Sequence, residues 1–130
     1  MVLKEDAELA YRVENDKRGQ AQITLRRLDE VLPPLLGGID VPRVFLKIDA
    51  QGHDMEVLRG AAGVRHWIVG LQSELSVVPI YDGMHSMSEM LKYCQSIRFV
   101  PVGFYPTNTF RDRQISPEFD VLFNSFDGQL

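Results

Sequence analysis

The sequence predicts an α/β domain with parallel central strands and a terminal antiparallel strand pair. Three observations carry this prediction. An almost continuously apolar run, Val44–Ile48, passes through Asp49 and Gly52 directly into a helical pattern, as expected of a strand covered on both faces in a parallel sheet. A second apolar stretch, Trp67–Leu75, follows that helix. Towards the end of the chain, Phe99–Phe104 and Glu118–Asn124 succeed one another without a helix between them, which favours antiparallel pairing. The 130 residues, 45% hydrophobic and 25% charged, suit a single domain with a real core, residues 1–130.

Taken in order, residues 1–20 mix both charge signs with a few apolar side chains and read as a frayed or edge segment. Gln20–Leu25 alternates weakly and reads as a short strand. Leu28, Val31, Leu32 and Leu35 then recur at helical spacing. Gly37-Gly38 stops that helix, and Ile39–Pro42 leads into the strand Val44–Ile48. After Gly52 a short helix over Asp54–Arg59 directs Met55, Leu58 and Ala62 inwards, with Gly60 and Gly63 weakening its continuation. The strand Trp67–Leu75 carries Gln72, Ser73 and Glu74 near its carboxyl end. Ser76–His85 is a loop long enough to fold over a site. Ser86-Met87-Ser88-Glu89 matches a capping box, with Met87, Met90, Leu91, Cys94 and Ile97 on one face of the helix behind it. Between the two last strands, Tyr105–Pro117 reads as a polar, turn-rich connection.

Charge and cysteine usage narrow the function. A net charge of -4 and a pI near 5.3, with scattered Lys and Arg, give no attraction to nucleic acid or an anionic membrane. A single cysteine, Cys94, excludes an internal disulfide framework and fits a reducing compartment, the cytoplasm by default. Neither a signal-peptide core nor an apolar run of membrane-spanning length is present in the sequence.

In open α/β sheets ligands sit beyond the carboxyl ends of the strands, so the chemistry is expected where Val44–Ile48 runs into its turn. Lys47 and Asp49, two apart on a strand, point to one face. They either share a ligand or form a structural ion pair, and Asp49 could equally serve the N–H groups of the following turn. Gln51-Gly52-His53-Asp54 adds an amide, a flexible turn, an imidazole and a carboxylate, although a histidine beside an aspartate is most often a surface turn. Glu74 would lie near Asp49 if the two strands are adjacent and parallel, and two such carboxylates can position a hydroxyl or raise each other's pKa. Asp49, His53 and Asp54 are also metal-ligand types, and Asp49, His53 and Glu74 would suit metal-dependent hydrolysis, but no further histidine or acid has supporting spacing, so no metal site is expected. Met87, Met90 and Cys94 read as core. No glycine-rich phosphate-binding fingerprint is present.

The segment Leu46-Lys47-Ile48-Asp49-Ala50-Gln51-Gly52-His53-Asp54-Met55-Glu56-Val57-Leu58-Arg59-Gly60-Ala61 resembles the hallmark segment of the FkbM family of S-adenosylmethionine-dependent methyltransferases. Leu28-Asp29-Glu30-Val31, Gln72–Ser76, Pro79–Gly83 and Glu118–Phe123 support the likeness, which spans about residues 23–124. Many family members carry Glu where this chain has Gln51. The resemblance implies a partial Rossmann-like, doubly wound sheet of the class I methyltransferase type. It also implies methyl transfer from S-adenosylmethionine to a hydroxyl oxygen of a small molecule or sugar. By the same likeness Asp49, Glu74 and Lys47 are the catalytic candidates, Asp49, Gln51 and Gly52 face the cofactor, and His53 and Tyr81 face the substrate. The glycine-rich turn after the family's first strand, and the acid ending its second, have no counterpart here. The chain therefore resembles the second half of the enzyme; if it is the entire polypeptide, weak or absent cofactor binding and an open parallel-sheet edge, prone to pairing with another chain, are the expected consequences. The alternative reading is a non-catalytic half-fold that acts as an interaction module.

Overall fold

The computed structural model describes residues 21–80, 82–110 and 115–126, with 108–110 and 115–117 given by backbone alone. The expectation for residues 1–20 and the assignment of Tyr81 lie outside the described residues. Along the chain the elements are helix α1 (Leu28–Leu35), strand β1 (Val44–Ile48), helix α2 (Asp54–Gly60), a 3-10 helix (Ala62–Trp67), strand β2 (Ile68–Ser76), helix α3 (Met87–Ser96), and strands β3 (Phe99–Phe110) and β4 (Ile115–Ser125). The four strands form one sheet in the order β1-β2-β4-β3. β1 and β2 are parallel, and β4 runs antiparallel to both β2 and β3.

Register and side-chain alternation define two faces. Leu46 pairs with Leu71 and Ile48 with Ser73, and Leu71 and Ser73 pair in turn with Phe123 and Val121. Together with Leu75 and Phe99 these side chains meet Met55 and Leu58 of α2, Val64 of the 3-10 helix, and Met90 and Cys94 of α3 in the single buried core. Each fully buried side chain of this size contributes roughly 1.5–3 kcal/mol of transfer free energy. The opposite face carries Phe45, Lys47, Gln72, Glu74, Tyr105, Asp120 and Leu122, all half-buried or exposed. This second face therefore reaches solvent, and the polar strand ends lie on it.

Helix α3 begins with the predicted capping box. Ser86 Oγ accepts the Glu89 N–H at 3.4 Å, and Glu89 Oε2 accepts the Ser86 N–H at 2.8 Å. Helix α1 is held by Asp29, whose carboxylate takes a two-pronged contact from Arg27 at 2.9 and 2.7 Å and the Gly63 N–H at 3.1 Å. Those contacts hold the Asp29 carboxyl below its usual range, the Arg27 hydrogen bond first among them. A Cβ on Gly63 would stand 3.0 Å from Asp29 Cβ, so only glycine lets the 3-10 helix come this close. Arg65 stitches the far end of the sheet. Its guanidinium lies 3.7 Å from the Phe99 ring centroid and donates to the carbonyls of Ile97, Ile68 and Arg98 and to Ser125 Oγ.

Five sequence expectations are corrected. Residues 21–27 are unpaired and form no strand; Ile23 and Leu25 lie exposed, so weak alternation had no partner strand to bury it. Leu35, the last residue of α1 behind the in-helix Pro33 and Pro34, is exposed and does not continue the apolar face. Trp67 belongs to the 3-10 helix rather than to the strand, and Ala61, not Ala62, is buried. The expected loop Tyr105–Pro117 is mostly strand: β3 continues to Phe110 and β4 starts at Ile115.

Candidate functional site

Immediately after β1 the chain turns back on itself. The His53 N–H donates to the Ala50 carbonyl at 3.2 Å, and the two central residues have positive φ, 48° at Gln51 and 94° at Gly52. That pair of left-handed residues defines a tight turn in which glycine is at ease and Gln51 is strained by about 1–2 kcal/mol. The strain has a local product. Gln51 Nε2 lies 3.0 Å from Asp49 Oδ1 and donates to it, so the turn folds an amide onto the carboxylate at the strand end. Asp49 therefore bonds Gln51, and the ion pair with Lys47 is not formed. Lys47 is exposed on the same face and makes no hydrogen bond or ion pair among the described residues.

His53 follows as the N-cap of α2; its side chain is exposed and does not cap the helix. Asp54, the first residue of α2, is only 6% exposed. Its Oδ1 accepts the Ala50 N–H at 3.4 Å. Burial pushes the Asp54 carboxyl above its usual range, opposed by the Ala50 amide, the Ser73 hydroxyl and the amides of Asp54 and Gly52. Ser73 Oγ is fully buried and closes no hydrogen bond of ordinary geometry, so its influence on Asp54 is that of a nearby dipole.

β2 and β4 supply the second wall. Glu74 pairs with Asp120 and Ser76 with Glu118, which brings three carboxylates to one face beside Asp49. Ser76 Oγ donates to Glu118 Oε1 at 3.2 Å. Burial pushes the Glu74 carboxyl above its usual range. The negative charges of Glu118, Asp49 and Asp120 push in the same direction, against a hydrogen bond from Thr107. A cavity of about 10 Å³ is lined by Asp49, Gln51, Gly52, Asp54, Glu74, Met84 and Glu118. Met84 comes from the loop after β2, where Gly83 has a φ of 80°. That loop is tied at its end to α2 by His85 Nε2, 3.2 Å from Glu56 Oε1.

Of the residues expected from sequence, Asp49, Gln51, Gly52 and Glu74 meet in this cavity, whereas Lys47 and His53 do not line it. Asp54 was part of the expected polar turn but had no assigned role, and Met84, Glu118 and Asp120 were not among the expected site residues. The spacing of Glu118 and Asp120, two apart in a strand, put them on one face, but the register that sets them against Ser76 and Glu74 is not written locally. Among the described residues no three His, Cys, Asp or Glu side chains are arranged to hold a metal ion. A larger cavity, about 120 Å³, lies elsewhere between Leu58, Ala61, Ala62, Arg65, Ile68, Tyr93, Ile97 and Phe99. It is mainly apolar, and Arg65 is already engaged by the carbonyls around it, so the strand-end carboxylates remain the better site for chemistry.

A family model described as the methyltransferase FkbM domain matches residues 4–101, well over half of the chain. The match takes in β1, its turn, α2, β2 and α3, and it ends at the start of β3. No curated protein and no solved structure matches the chain. No helix among the described residues is long and apolar enough to cross a membrane.

Proposed function

The chain belongs to the FkbM methyltransferase family, and on that premise we propose that it transfers a methyl group from S-adenosylmethionine to a hydroxyl oxygen of a small molecule or sugar. The observation that carries the reading is the meeting of Asp49 and Glu74, from the ends of adjacent parallel strands, on one cavity. In this reading the sheet is the distal half of a Rossmann-like methyltransferase fold, acting in the cytoplasm without nucleic acid or membrane. The carboxylates and the Gln51 amide suit the hydroxyls and the positive sulfonium of the methyl donor, with Gly52 giving the backbone room for close approach. A cavity of about 10 Å³ holds one water, not a cofactor. The described residues therefore form one wall of the site.

When bound, the cofactor supplies an electrophilic methyl group. Asp49 would accept a hydrogen bond from the acceptor hydroxyl and orient its oxygen. Glu74, whose pKa burial raises, would take the hydroxyl proton, while the methyl carbon would leave the sulfonium sulfur, releasing a neutral thioether, and join the acceptor oxygen. Lys47 adds positive charge on the same face, while His53 and Tyr81 are the candidates for contact with the acceptor. Saturation-transfer NMR with S-adenosylmethionine tests the reading. Contacts to the cofactor that Asp49→Asn removes, with labelled methyl reaching a hydroxylated acceptor, are the expected result. A folded chain showing no transfer at millimolar cofactor would refute it.

A second reading has its own support. β1 is an edge strand, with no described strand on its outer side, so the half-sheet can recruit another chain, including a second copy of itself.

A further inference from the structure

The reading above leaves one buried charge unused. Asp54, the first residue of α2, is buried where it lines the strand-end cavity, and burial there works against its ionised form. A carboxylate in such a place costs stability that an apolar residue would not. Its hydrogen bonding shows what it does in return. Ala50, four residues back, donates its N–H to Oδ1 at 3.4 Å, and the amides of Gly52 and of Asp54 itself also favour the charged form. The carboxylate thus holds the amide that opens the turn whose central residues, Gln51 and Gly52, both have positive φ. The same turn returns the Gln51 side chain to Asp49 at 3.0 Å.

We propose that Asp54 is a positioning residue, which holds the Ala50–His53 turn from beneath so that Gln51 fixes the Asp49 carboxylate towards the cavity. Asp54 acts through the turn, and its link to methyl transfer rests on the proposed function. The hold on the turn does not. Removal of the charge frees the Ala50 amide, lets Gln51 leave its strained conformation and releases Asp49.

The experiment compares wild type with Asp54→Asn, Asp54→Ala and Asp54→Glu by 15N-resolved NMR between pH 3 and 8, with thermal unfolding alongside. Asp49, Glu74 and Glu118 line the same cavity and His53 adjoins it, so only shifts lost in Asp54→Asn are assigned to Asp54. In wild type the Ala50 and Gly52 amides move with a carboxyl titration, and the Gln51 side-chain amide keeps a hydrogen-bonded shift. Asp54→Asn, which preserves shape, removes the titration and moves the Gln51 side-chain signals towards free-amide values. Asp54→Ala completes that move, and Asp54→Glu restores part of the titration.

Unchanged Ala50, Gly52 and Gln51 signals in a folded Asp54→Asn protein would overturn the proposal. So would an Asp54→Asn protein that does not fold, since Asp54 would then support the core rather than position Asp49. In a parallel titration with S-adenosylmethionine, Asp54→Asn lowers affinity at least about tenfold. If wild type makes no contact with the cofactor, the methyl-transfer reading falls and the amide signals still decide the role of Asp54.

Discussion

Gln51 shows most clearly how one residue sets the character of the site. Its amide donates to Asp49 and so holds that carboxylate at the end of β1. Gln51→Glu would replace the donor with a second acid beside Asp49. Like charges repel once both acids are ionised, so the variant's stability deficit against wild type should be larger at pH 8 than at pH 4. Both side chains are exposed, which limits the deficit to about 1 kcal/mol or less. Thermal melts at pH 4 and pH 8 measure it; a deficit that shrinks on going to pH 8 contradicts the Gln51–Asp49 bond. Cys94 is the residue-scale counterpart in the core. Burial pushes its thiol up to about 12, so almost no thiolate exists at pH 8. Iodoacetamide should leave Cys94 unmodified in the folded protein and alkylate it readily in denaturant; comparable rates in the two states would contradict its burial.

Elements were legible where their causes are local and obscure where they depend on register. The capping box needs only Ser86 and Glu89, and both bonds form. Ser86→Ala should cost about 1 kcal/mol, read as a lowered urea midpoint with unchanged slope; an unchanged midpoint would show that packing of Met90 and Cys94 alone holds α3. β1, its turn and α2 were likewise written in one contiguous stretch. By contrast, β3 was legible only over Phe99–Phe104, and its second half was hidden by Pro106 and the polar residues around it. It is an edge strand in the order β1-β2-β4-β3, where prolines cost few ladder bonds, and register shifts after Pro101 and Pro106 absorb the irregularity. Glu118 and Asp120 reach Glu74 only through the antiparallel pairing of β4 with β2, so half of the acidic wall could not be placed from sequence. Gln20–Leu25 failed for the opposite reason: alternation was present, but residues 21–27 meet no strand in the structure.

At the scale of the molecule, the proposal that the fold accepts another chain rests on the half-buried second face and on the side of β1 that meets no described strand. β1 presents the outer backbone groups of Val44–Ile48 with no described strand beside them, and its exposed Phe45, at 56%, and Lys47 lie on the same face. Antiparallel pairing of two copies centred on Leu46 would set Phe45 of one against Lys47 of the other on both sides of the two-fold axis, an arrangement that places a cation near an aromatic face. Such pairing should appear as concentration-dependent dimerisation in the range of about 10–100 µM. Phe45→Lys would replace each attractive cross-strand pair with two like charges and should weaken association by about tenfold or more. Sedimentation equilibrium of wild type and Phe45→Lys decides the matter. A wild-type chain that stays monomeric at on the order of 100 µM would show that two copies do not cover the edge of β1. Dimers of equal strength in Phe45→Lys would place the contact elsewhere, and only a loss that follows the charge at position 45 makes β1 the seam.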